Sequence, residues 1–251
     1  MIEIKNAKKA YAENVVLDDV TVTIPEGKMT CLIGSNGAGK STLLSVISRL
    51  ISANGTVLVD GTSIKEYHAD EFSKKLAVLR QNNHLNVRLT VEELVSFGRY
   101  PHSKSKLTEA DSVIIKESIA YMNLESFSER FIDELSGGER QRALIAMIIA
   151  QDTKYIFLDE PLNNLDMKHS VLIMKLLQRL VKEKNKTIVL VIHDINFAAS
   201  YAEYIIALKH GRLLFSGETQ EIITRECLKE VFDMEFDIME YKNQKYCLYF
   251  I

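Results

Sequence analysis

The sequence has few cysteines and no long apolar run, and both shortages limit what the protein can be. Its three cysteines, Cys31, Cys227 and Cys247, are scattered and lack the spacing of metal ligands, so we expect a reducing compartment. Apolar runs such as 143–150 fall far short of the roughly 20 residues that a membrane span needs. The N-terminus also lacks the charged-then-apolar layout of a signal peptide. We therefore expect a cytosolic chain that reaches a membrane only through a partner.

An excess of positive charge, internal repeats and low-complexity tracts are missing as well. The formal net charge of −3 offers no general basic field, so we predict no nucleic-acid partner. The 47% hydrophobic and 26% charged residues are ordinary for a soluble globular protein. At 251 residues the chain is long enough for one large domain or two small ones.

A glycine-rich stretch stands out against this ordinary background. It fits the phosphate-binding pattern of Gly, four residues, and Gly-Lys-Ser/Thr, and it reads Gly34-Ser35-Asn36-Gly37-Ala38-Gly39-Lys40-Ser41-Thr42. Glycines let the backbone curl with its N–H groups pointing inward, which makes a concave anion site. Lys40 can reach the terminal phosphates of a nucleotide, and the Ser41 hydroxyl can bind Mg²⁺.

The flanking residues supply the context that this motif requires. The apolar run 29–33 predicts a buried strand before the loop. A helix is predicted from Lys40, with one apolar side formed by Leu43, Leu44, Val46, Ile47 and Leu50. The positive end of the helix dipole would then face the anion. Strand, loop and helix in this order predict a nucleotide-binding loop.

Alternating apolar residues predict short strands around this loop. Ile2 and Ile4 alternate with polar neighbours, as do the apolar residues of 20–24. Tyr11 is predicted on a polar loop before the second run, where the residues alone favour an ordinary surface aromatic. The stretch 55–61 is a glycine-bounded strand, and the apolar run 76–79 leads into a polar loop at Arg80-Gln81-Asn82-Asn83.

Helical spacing replaces the strand pattern from about residue 91 to residue 150. Apolar residues there recur at intervals of three or four, as in Val91, Leu94 and Val95 and again from Val113 to Met122. This predicts an inserted helical subdomain. Near its end, Leu135-Ser136-Gly137-Gly138-Glu139 precedes a predicted helix over 140–150, with Ser136 as its N-cap. From the residues alone this loop is either a second anion site or purely structural.

Two fully apolar runs, 155–158 and 187–192, predict central parallel strands with a helix over 167–182 between them. Asp159-Glu160 and His193-Asp194 follow these runs, at the strand ends where α/β sheets bind ligands. His193 is a capping or core histidine or a site residue, and its position favours the site. The tail, 205–251, is predicted to alternate short strands with one helix over 220–232 on the same domain.

Together these residues resemble the ATP-binding subunits of ABC transporters. The resembling segments, in family order, are 34–42, Gln81, 135–142, 155–160, 163–166 and His193. Leu-Ser-Gly-Gly-Glu is the specific element, since phosphate-binding loops occur in many NTPase families. The resemblance implies an α/β P-loop NTPase (ABC ATPase) core with an N-terminal antiparallel β subdomain and an inserted α-helical subdomain. It also implies one domain over 1–251, with the helical subdomain at about 85–150.

The hexapeptide Phe97-Gly98-Arg99-Tyr100-Pro101-His102 is similar to the importer branch for ferric siderophores, haem and cobalamin. The implied function is the ATP-hydrolysing, energy-coupling subunit of an importer, with ferric siderophores as the leading substrate. The alternatives are haem, cobalamin or another substrate, and a soluble ABC ATPase outside transport. Ser35 stands where proline is frequent and Leu162 where a small polar residue is usual, but neither replaces a catalytic group.

The resemblance also implies roles for single residues. ATP would lie on the loop 34–42 with its adenine stacked on Tyr11, and Lys40 would contact the phosphates. Glu160 would polarise the attacking water, and His193 would contact the γ-phosphate and hold Glu160 and the water in line. The resemblance further implies that Ser41, Gln81 and Asp159 are the ligands of Mg²⁺. It also implies that Gln81 is a catalytic residue.

A second ATPase subunit is the first partner that the resemblance implies. Ser136, Gly137, Gly138 and Glu139 would complete the nucleotide site of that subunit in a head-to-tail pair, which we expect to be a homodimer. Asp166 would link the two sites. A membrane-embedded permease would bind near the Gln81 loop and residues 84–102, and would connect the chain to an extracytoplasmic substrate-binding protein. The chain would then lie at the cytoplasmic face of the cell membrane.

Overall fold

The computed structural model describes residues 1–81, 87–104 and 106–250. These residues form two compact units, of which the first comprises Met1–Tyr67 and Thr187–Ile251 and the second comprises His68–Lys186. The predicted polar-loop residues Asn82 and Asn83 lie outside the described residues.

Strands, helices and short 3₁₀ turns follow one another along the described residues. The strands are β1 (Ile2–Tyr11), β2 (Asn14–Ile24), β3 (Met29–Ile33), β4 (Asn54–Val59), β5 (Thr62–Ser63), β6 (Leu76–Leu79), β7 (Tyr155–Asp159), β8 (Thr187–Val191), β9 (Tyr204–Lys209), β10 (Arg212–Glu218), β11 (Asp237–Tyr241) and β12 (Gln244–Leu248). The helices are α1 (Lys40–Ile47), α2 (Ala69–Ser73), α3 (Val91–Ser96), α4 (Tyr100–Ser103), α5 (Glu109–Tyr121), α6 (Gly137–Ala150), α7 (Met167–Lys184), α8 (Ile195–Tyr201), α9 (Thr219–Ile222) and α10 (Arg225–Phe232). Short 3₁₀ turns lie at Phe97–Arg99, Glu125–Phe127 and Ile132–Glu134.

An antiparallel sheet with the order β2-β1-β4-β5 forms the N-terminal part of the first unit. Ile2 pairs with Ile24 on one side and with Val59 on the other, and all three side chains are buried. The period-2 alternation of β1 therefore places its apolar residues on one face, as a half-buried strand requires. The predicted N-terminal antiparallel β subdomain is confirmed. Tyr11 is the last residue of β1, so its placement on a loop was wrong.

The second set of strands in the first unit has the order β10-β9-β3-β8, with β3 parallel to β8 and to β9. Every residue of β3 and β8 is buried, which explains their unbroken apolar runs, since parallel strands are covered on both faces. The loop after β3 leads directly into α1. Leu50 lies beyond the end of α1 and is exposed, so its assignment to the apolar side of that helix was wrong.

In the second unit, β6 and β7 pair in parallel, with Leu79 opposite Leu158. Helices α3, α5 and α6 each begin at a Thr or Ser that closes a capping box with an acidic residue three positions on. The helical pattern predicted over 91–150 is therefore confirmed as a set of short helices, although Val113 faces solvent. The boundaries of the helical subdomain stay a prediction.

The tail departs from its prediction. Instead of one helix over 220–232 the structure has α9 and α10, which are separated at Ile223 and Thr224. The Thr224 hydroxyl accepts a hydrogen bond from the Cys227 amide at 3.2 Å, so this residue starts a new helix as its N-cap. Within the described residues, no helix has both the length and the apolar character to cross a membrane.

Candidate active site

The glycine-rich loop of the first unit has a backbone that only glycine fits at two positions. Gly34 has φ +142°, and a Cβ there would lie 2.1 Å from the Leu208 carbonyl oxygen. Gly39 has φ +99° and is the residue from which α1 begins. Both values lie in the region that side chains disfavour, so the glycines set the path of the loop into the helix.

Lys40 is buried, and its Nζ donates to the Gly34 and Ser35 carbonyl oxygens at 2.8 and 2.9 Å. These bonds hold the ammonium group over the start of the loop, where an anion on the helix N-terminus would meet it. Ser41 follows in the first helical turn, and that turn carries no acidic side chain. The loop is therefore electropositive without needing a basic surface around it.

Tyr11 and His193 are the other predicted site residues of the first unit. The Tyr11 ring is 51% exposed, and the Lys9 ammonium lies 5.0 Å from its centroid. His193 is exposed between β8 and α8, so it is not a core histidine. Asp194 caps α8 by accepting from the Asn196 amide at 2.8 Å, which removes the capping alternative for His193 at this helix.

Glu160 is the first residue after β7 in the second unit, and its backbone is strained. Its φ of +51° lies in the left-handed region although it precedes Pro161, and proline disfavours helical conformations in the residue before it. Glu160 Oε2 accepts a hydrogen bond from Gln81 Nε2 at 2.6 Å and another from Asn163 Nδ2. Strain of this kind persists where the surroundings over-determine it, and it concentrates at functional positions.

A cavity of about 300 Å³ in the second unit brings four predicted site residues together. Gln81, Gly137, Asp159 and Glu160 all line it. Asp159 is the last residue of β7 and is 9% exposed, so its carboxylate lies deeper than that of Glu160. Two carboxylates and an amide therefore meet the N-terminus of α6 at one cavity.

The Leu-Ser-Gly-Gly-Glu motif forms the start of α6, which begins at Gly137, three residues earlier than predicted. The Ser136 hydroxyl donates to Glu139 Oε2 at 2.7 Å, and the Ser136 amide donates to the same oxygen at 2.8 Å. These hydrogen bonds lower the pKa of the Glu139 carboxyl. The motif is thus a capping box, and the first-turn N–H groups of Gly137 and Gly138 lie at the free N-terminal end of the helix.

Asp166 starts α7 in the same manner. Its Oδ1 accepts from the His169 amide at 2.8 Å, and its Oδ2 contacts His169 Nδ1 at 3.0 Å. Hydrogen bonds from the His169 amide and ring lower the pKa of the Asp166 carboxyl. Asp166 is exposed, so this arrangement orients a carboxylate at the surface.

The hexapeptide 97–102 is anchored to the end of α6. Arg99 is buried and donates to Asp111 Oδ1 and to the Ala150 carbonyl, both at 2.8 Å. A Cβ on Gly98 would lie 2.1 Å from the Met147 carbonyl oxygen, so only glycine allows this approach. The residues Phe97 and Tyr100 are 55% and 59% exposed, so the anchored segment presents two aromatic residues to solvent.

The structure distributes the predicted site residues over the two units. The first unit carries Tyr11, the loop 34–42 and His193, and the second carries Gln81, Ser136 to Glu139, Asp159, Glu160 and Asp166. The sequence interpretation missed the bond from Asn163 to Glu160 and the part played by His169. The spacing of three residues from Asp166 to His169 at a helix start was a signal that could have revealed the second.

A phosphate-binding loop between a buried strand and a helix defines a P-loop nucleotide-binding protein. Residues 17–163 match the family model described as ABC transporter. The chain belongs to the ABC transporter family. The predicted resemblance, the fold class and the interpretation as an ATP-binding ABC ATPase are confirmed.

Similarity to ATP-binding proteins of this family extends over the whole chain. It is 54% identical over 251 residues, all of both chains, to the petrobactin import ATP-binding protein YclP of Bacillus subtilis. It is 44% identical to the petrobactin import ATP-binding protein FatE of Bacillus anthracis, over 96% of each chain. It is also 42% identical to the iron(3+)-hydroxamate import ATP-binding protein FhuC of Bacillus subtilis, over 91% of this chain and 86% of the relative. The predicted similarity to the siderophore branch is thus confirmed.

Solved structures of ABC transporters have the same fold as this chain. An inward-facing metal-chelate type ABC transporter matches with a TM-score of 0.86 and 26% identity, over 100% of this chain and 97% of that one. The dimeric ABC transporter cassette MJ0796 matches with a TM-score of 0.77 and 32% identity, over 87% and 99%. The same cassette is also known as a dimer in a post-hydrolysis state bound to ADP and Pi.

Proposed function

We propose that this chain is the ATP-hydrolysing, energy-coupling subunit of an importer for a ferric siderophore, with petrobactin as the first candidate. The observation that carries the proposal is the 54% identity, over the complete length of both chains, to a petrobactin import ATP-binding protein. The hydrogen-bonded Glu160 carboxylate and the buried Lys40 ammonium supply the groups that ATP hydrolysis needs.

The first unit binds the nucleotide. The N–H groups of the loop 34–42 surround the phosphates, and Lys40 neutralises charge that develops on the phosphate oxygens. Tyr11 offers the exposed face of its ring to the adenine, a contact that holds a base without identifying it. His193, exposed at the end of β8, contacts the γ-phosphate.

The second unit supplies the group that acts on water. Glu160 accepts the proton of the attacking water, because it follows β7 on a strained backbone and its carboxylate is held by the hydrogen bond from Gln81. Gln81 and Asn163 both donate to Glu160 Oε2 and so fix the rotation of the carboxylate. Orientation of this kind matters for phosphoryl transfer, where the protein contributes chiefly position and charge.

Mg²⁺ accompanies the nucleotide. Its ligands on this chain would be the oxygens of Ser41, Gln81 and Asp159, a hydroxyl, an amide and a carboxylate, which are donors that a hard cation accepts. In the part of the chain that the structure describes, no group of three or more His, Cys, Asp or Glu side chains could hold a metal by itself. Mg²⁺ usually keeps several waters and substrate phosphates as ligands, and it would supply charge neutralisation when bound.

Two copies of the chain assemble head to tail. The first-turn amides of α6 at Ser136 to Gly138 complete the nucleotide site of the second copy, and Glu139 holds that turn through the capping box. Asp166 lies at the start of α7 on the same unit and links the two sites. ATP then favours the closed pair and hydrolysis reopens it, because the ligand differs in affinity for the two states.

A membrane-embedded permease binds the pair of subunits at the cytoplasmic face of the membrane. The closing and reopening of the pair is transmitted to this permease. Its contact surface includes the described part of 84–102, where the anchored hexapeptide exposes Phe97 and Tyr100. Exposed aromatic side chains on a rigid support are typical of protein interfaces. The extracytoplasmic binding protein is reached through the permease.

Uptake of labelled ferric chelates tests the proposal. Cells lacking the chromosomal copy would carry wild type, Lys40→Ala, or Lys65→Ala as an exposed control lysine. We expect Lys40→Ala alone to abolish uptake of ferric petrobactin while other iron chelates still enter. Selective loss of a ferric hydroxamate instead would move the substrate to the class named for the 42% relative. Unchanged uptake of every chelate would overturn siderophore import and leave the ATPase assignment intact.

A further inference from the structure

His169 joins two structures that the proposed function uses separately, the start of α6 and the start of α7. We propose that His169 is a positioning residue, which holds Asp166 and the Gly138 amide in one fixed arrangement for the nucleotide of the second copy. This inference rests on the proposed function, since it assigns both groups to that nucleotide.

The first contact is a double hydrogen bond to Asp166. The His169 amide donates to Oδ1 at 2.8 Å, and the ring contacts Oδ2 through Nδ1 at 3.0 Å. An ionised carboxylate can only accept, so Nδ1 is the ring nitrogen that carries the hydrogen. Both oxygens of Asp166 are thereby held, although the side chain is 64% exposed.

The second contact is between the His169 ring and Gly138. A Cβ built on Gly138 would lie 2.4 Å from His169 Cγ and 2.5 Å from Cδ2. The imidazole therefore packs directly against the Gly138 backbone, and a side chain at 138 is excluded. Gly138 is buried, and the His169 side chain is only 27% exposed, as expected for a ring wedged at a helix start.

A single ring thus fixes two helix starts to one another. The capping box of Ser136 and Glu139 orders the first turn of α6 from within, while His169 contacts that turn from α7. A shift of Asp166 would move the ring, and a shift of the ring would meet the Gly138 backbone. The carboxylate and the amide are therefore presented to the second copy as one rigid pair rather than as two independent groups.

Hydrogen–deuterium exchange of peptides covering 135–142 tests the contact without reference to ATP. The variants are His169→Ala, which removes both contacts, and His169→Phe, which keeps a flat ring against Gly138 and removes the Nδ1 donor. Lys168→Ala is the matched control on the neighbouring exposed residue. We expect about tenfold faster exchange in His169→Ala, as for loss of a helix-end contact, and a smaller change in His169→Phe. Unchanged exchange in His169→Ala would overturn the proposal.

ATP turnover and nucleotide binding of the same variants test the functional part. Turnover should fall about tenfold in His169→Phe, the effect of losing one hydrogen bond to a charged group, while nucleotide binding stays within about twofold. Asp166→Ala should lower turnover, and adding His169→Phe to it should lower turnover little further, because both changes break the same pair. The positioning role of His169 would be overturned if the two substitutions lowered turnover independently, so that their effects multiplied. It would also be overturned if His169→Phe had wild-type turnover. If the wild-type protein does not hydrolyse ATP, the proposed function is refuted. The exchange measurement would still show whether His169 holds the start of α6.

Discussion

Gln81 and Glu160 lie 79 residues apart in the chain and are joined by a hydrogen bond of 2.6 Å from Gln81 Nε2 to Glu160 Oε2. The pairing of two parallel strands explains this bond. Leu79 at the end of β6 lies opposite Leu158 in β7, so the residues that follow the two strands emerge at the same edge. Displacement of the Gln81 side chain would therefore remove a hydrogen-bond donor from Glu160 Oε2.

The first prediction concerns Glu160 itself. Glu160→Gln keeps the size of the side chain and removes the proton acceptor, so we expect turnover to fall by about 100-fold or more while ATP binding is retained. The variant should accumulate as an ATP-dependent dimer in size-exclusion chromatography. Glu129→Gln, on an exposed residue, is the control. A fully active Glu160→Gln would remove this residue from the catalytic role.

The second prediction concerns the donor. Gln81→Ala removes the hydrogen bond but leaves the Glu160 carboxylate in place, so turnover should fall by about tenfold, less than for Glu160→Gln. Asn163→Ala removes the other donor and should have an effect of the same order. Steady-state ATP hydrolysis measures both. Equal losses in Gln81→Ala and Glu160→Gln would mean that the proposed Mg²⁺ contact of Gln81, and not its bond to Glu160, carries most of its effect.

The third prediction separates two roles of Ser136. Ser136→Ala breaks the capping box and should lower the free energy of unfolding by about 1 kcal/mol. Ser136→Arg adds a long side chain where the nucleotide of the second copy would lie, so it should abolish turnover while nucleotide binding stays normal. Equilibrium denaturation, nucleotide binding and turnover distinguish the two variants. Loss of nucleotide binding in Ser136→Arg would contradict the assignment of this motif to the nucleotide site of the second copy.

The fourth prediction compares two glycines of the phosphate-binding loop. Gly34→Ala introduces a Cβ 2.1 Å from the Leu208 carbonyl oxygen, so we expect a loss of about 3 kcal/mol or more in unfolding free energy. Gly37→Ala meets nothing within 4 Å and carries only the strain of φ +78°, which should cost about 1 kcal/mol. Urea denaturation measures both. Equal losses would show that backbone strain alone, and not the contact with Leu208, requires Gly34.

The fifth prediction concerns the pair of Arg99 and Asp111, whose side chains are each 7% exposed. Hydrogen bonds from Thr108 and Arg99 lower the pKa of Asp111 to about 2. A folded-state pKa below the unfolded value stabilises the protein above the unfolded value, and the stabilisation is lost as the pH falls toward the folded value. Asp111→Asn should therefore cost about 3 kcal/mol at pH 7, because it leaves Arg99 buried without its charge partner.

Denaturation midpoints between pH 7 and pH 3 check this expectation. The difference between wild type and Asp111→Asn should begin to shrink below about pH 4, the unfolded pKa of an aspartate. Glu109→Gln, on an exposed residue of the first turn of α5, should show only the small loss of a helix-dipole contact. A difference that stays constant down to pH 3 would contradict the assigned cause.

Several features of the site could be predicted because they depend on neighbouring residues. The strand β3, the loop 34–42 and the start of α1 follow from glycine conformational freedom, an unbroken apolar run and the 3.6-residue period. Ser136 as an N-cap followed from its residue type, and the structure adds only its partner Glu139. The prediction of one helix over 220–232 missed the break at Thr224, although threonine is a residue type that favours helix starts.

The sequence by itself determined that this protein has a phosphate-binding loop before a helix, apolar strands that are followed by Glu160 and by His193, and a capped glycine pair at 137–138. Each of these is local, since a few adjacent side chains decide the backbone. Only the tertiary structure decided that Gln81 bonds to Glu160, that Glu160 adopts φ +51°, and that the His169 ring packs against Gly138. These relationships join separate strands and helices, and they depend on packing geometry that no residue pattern encodes.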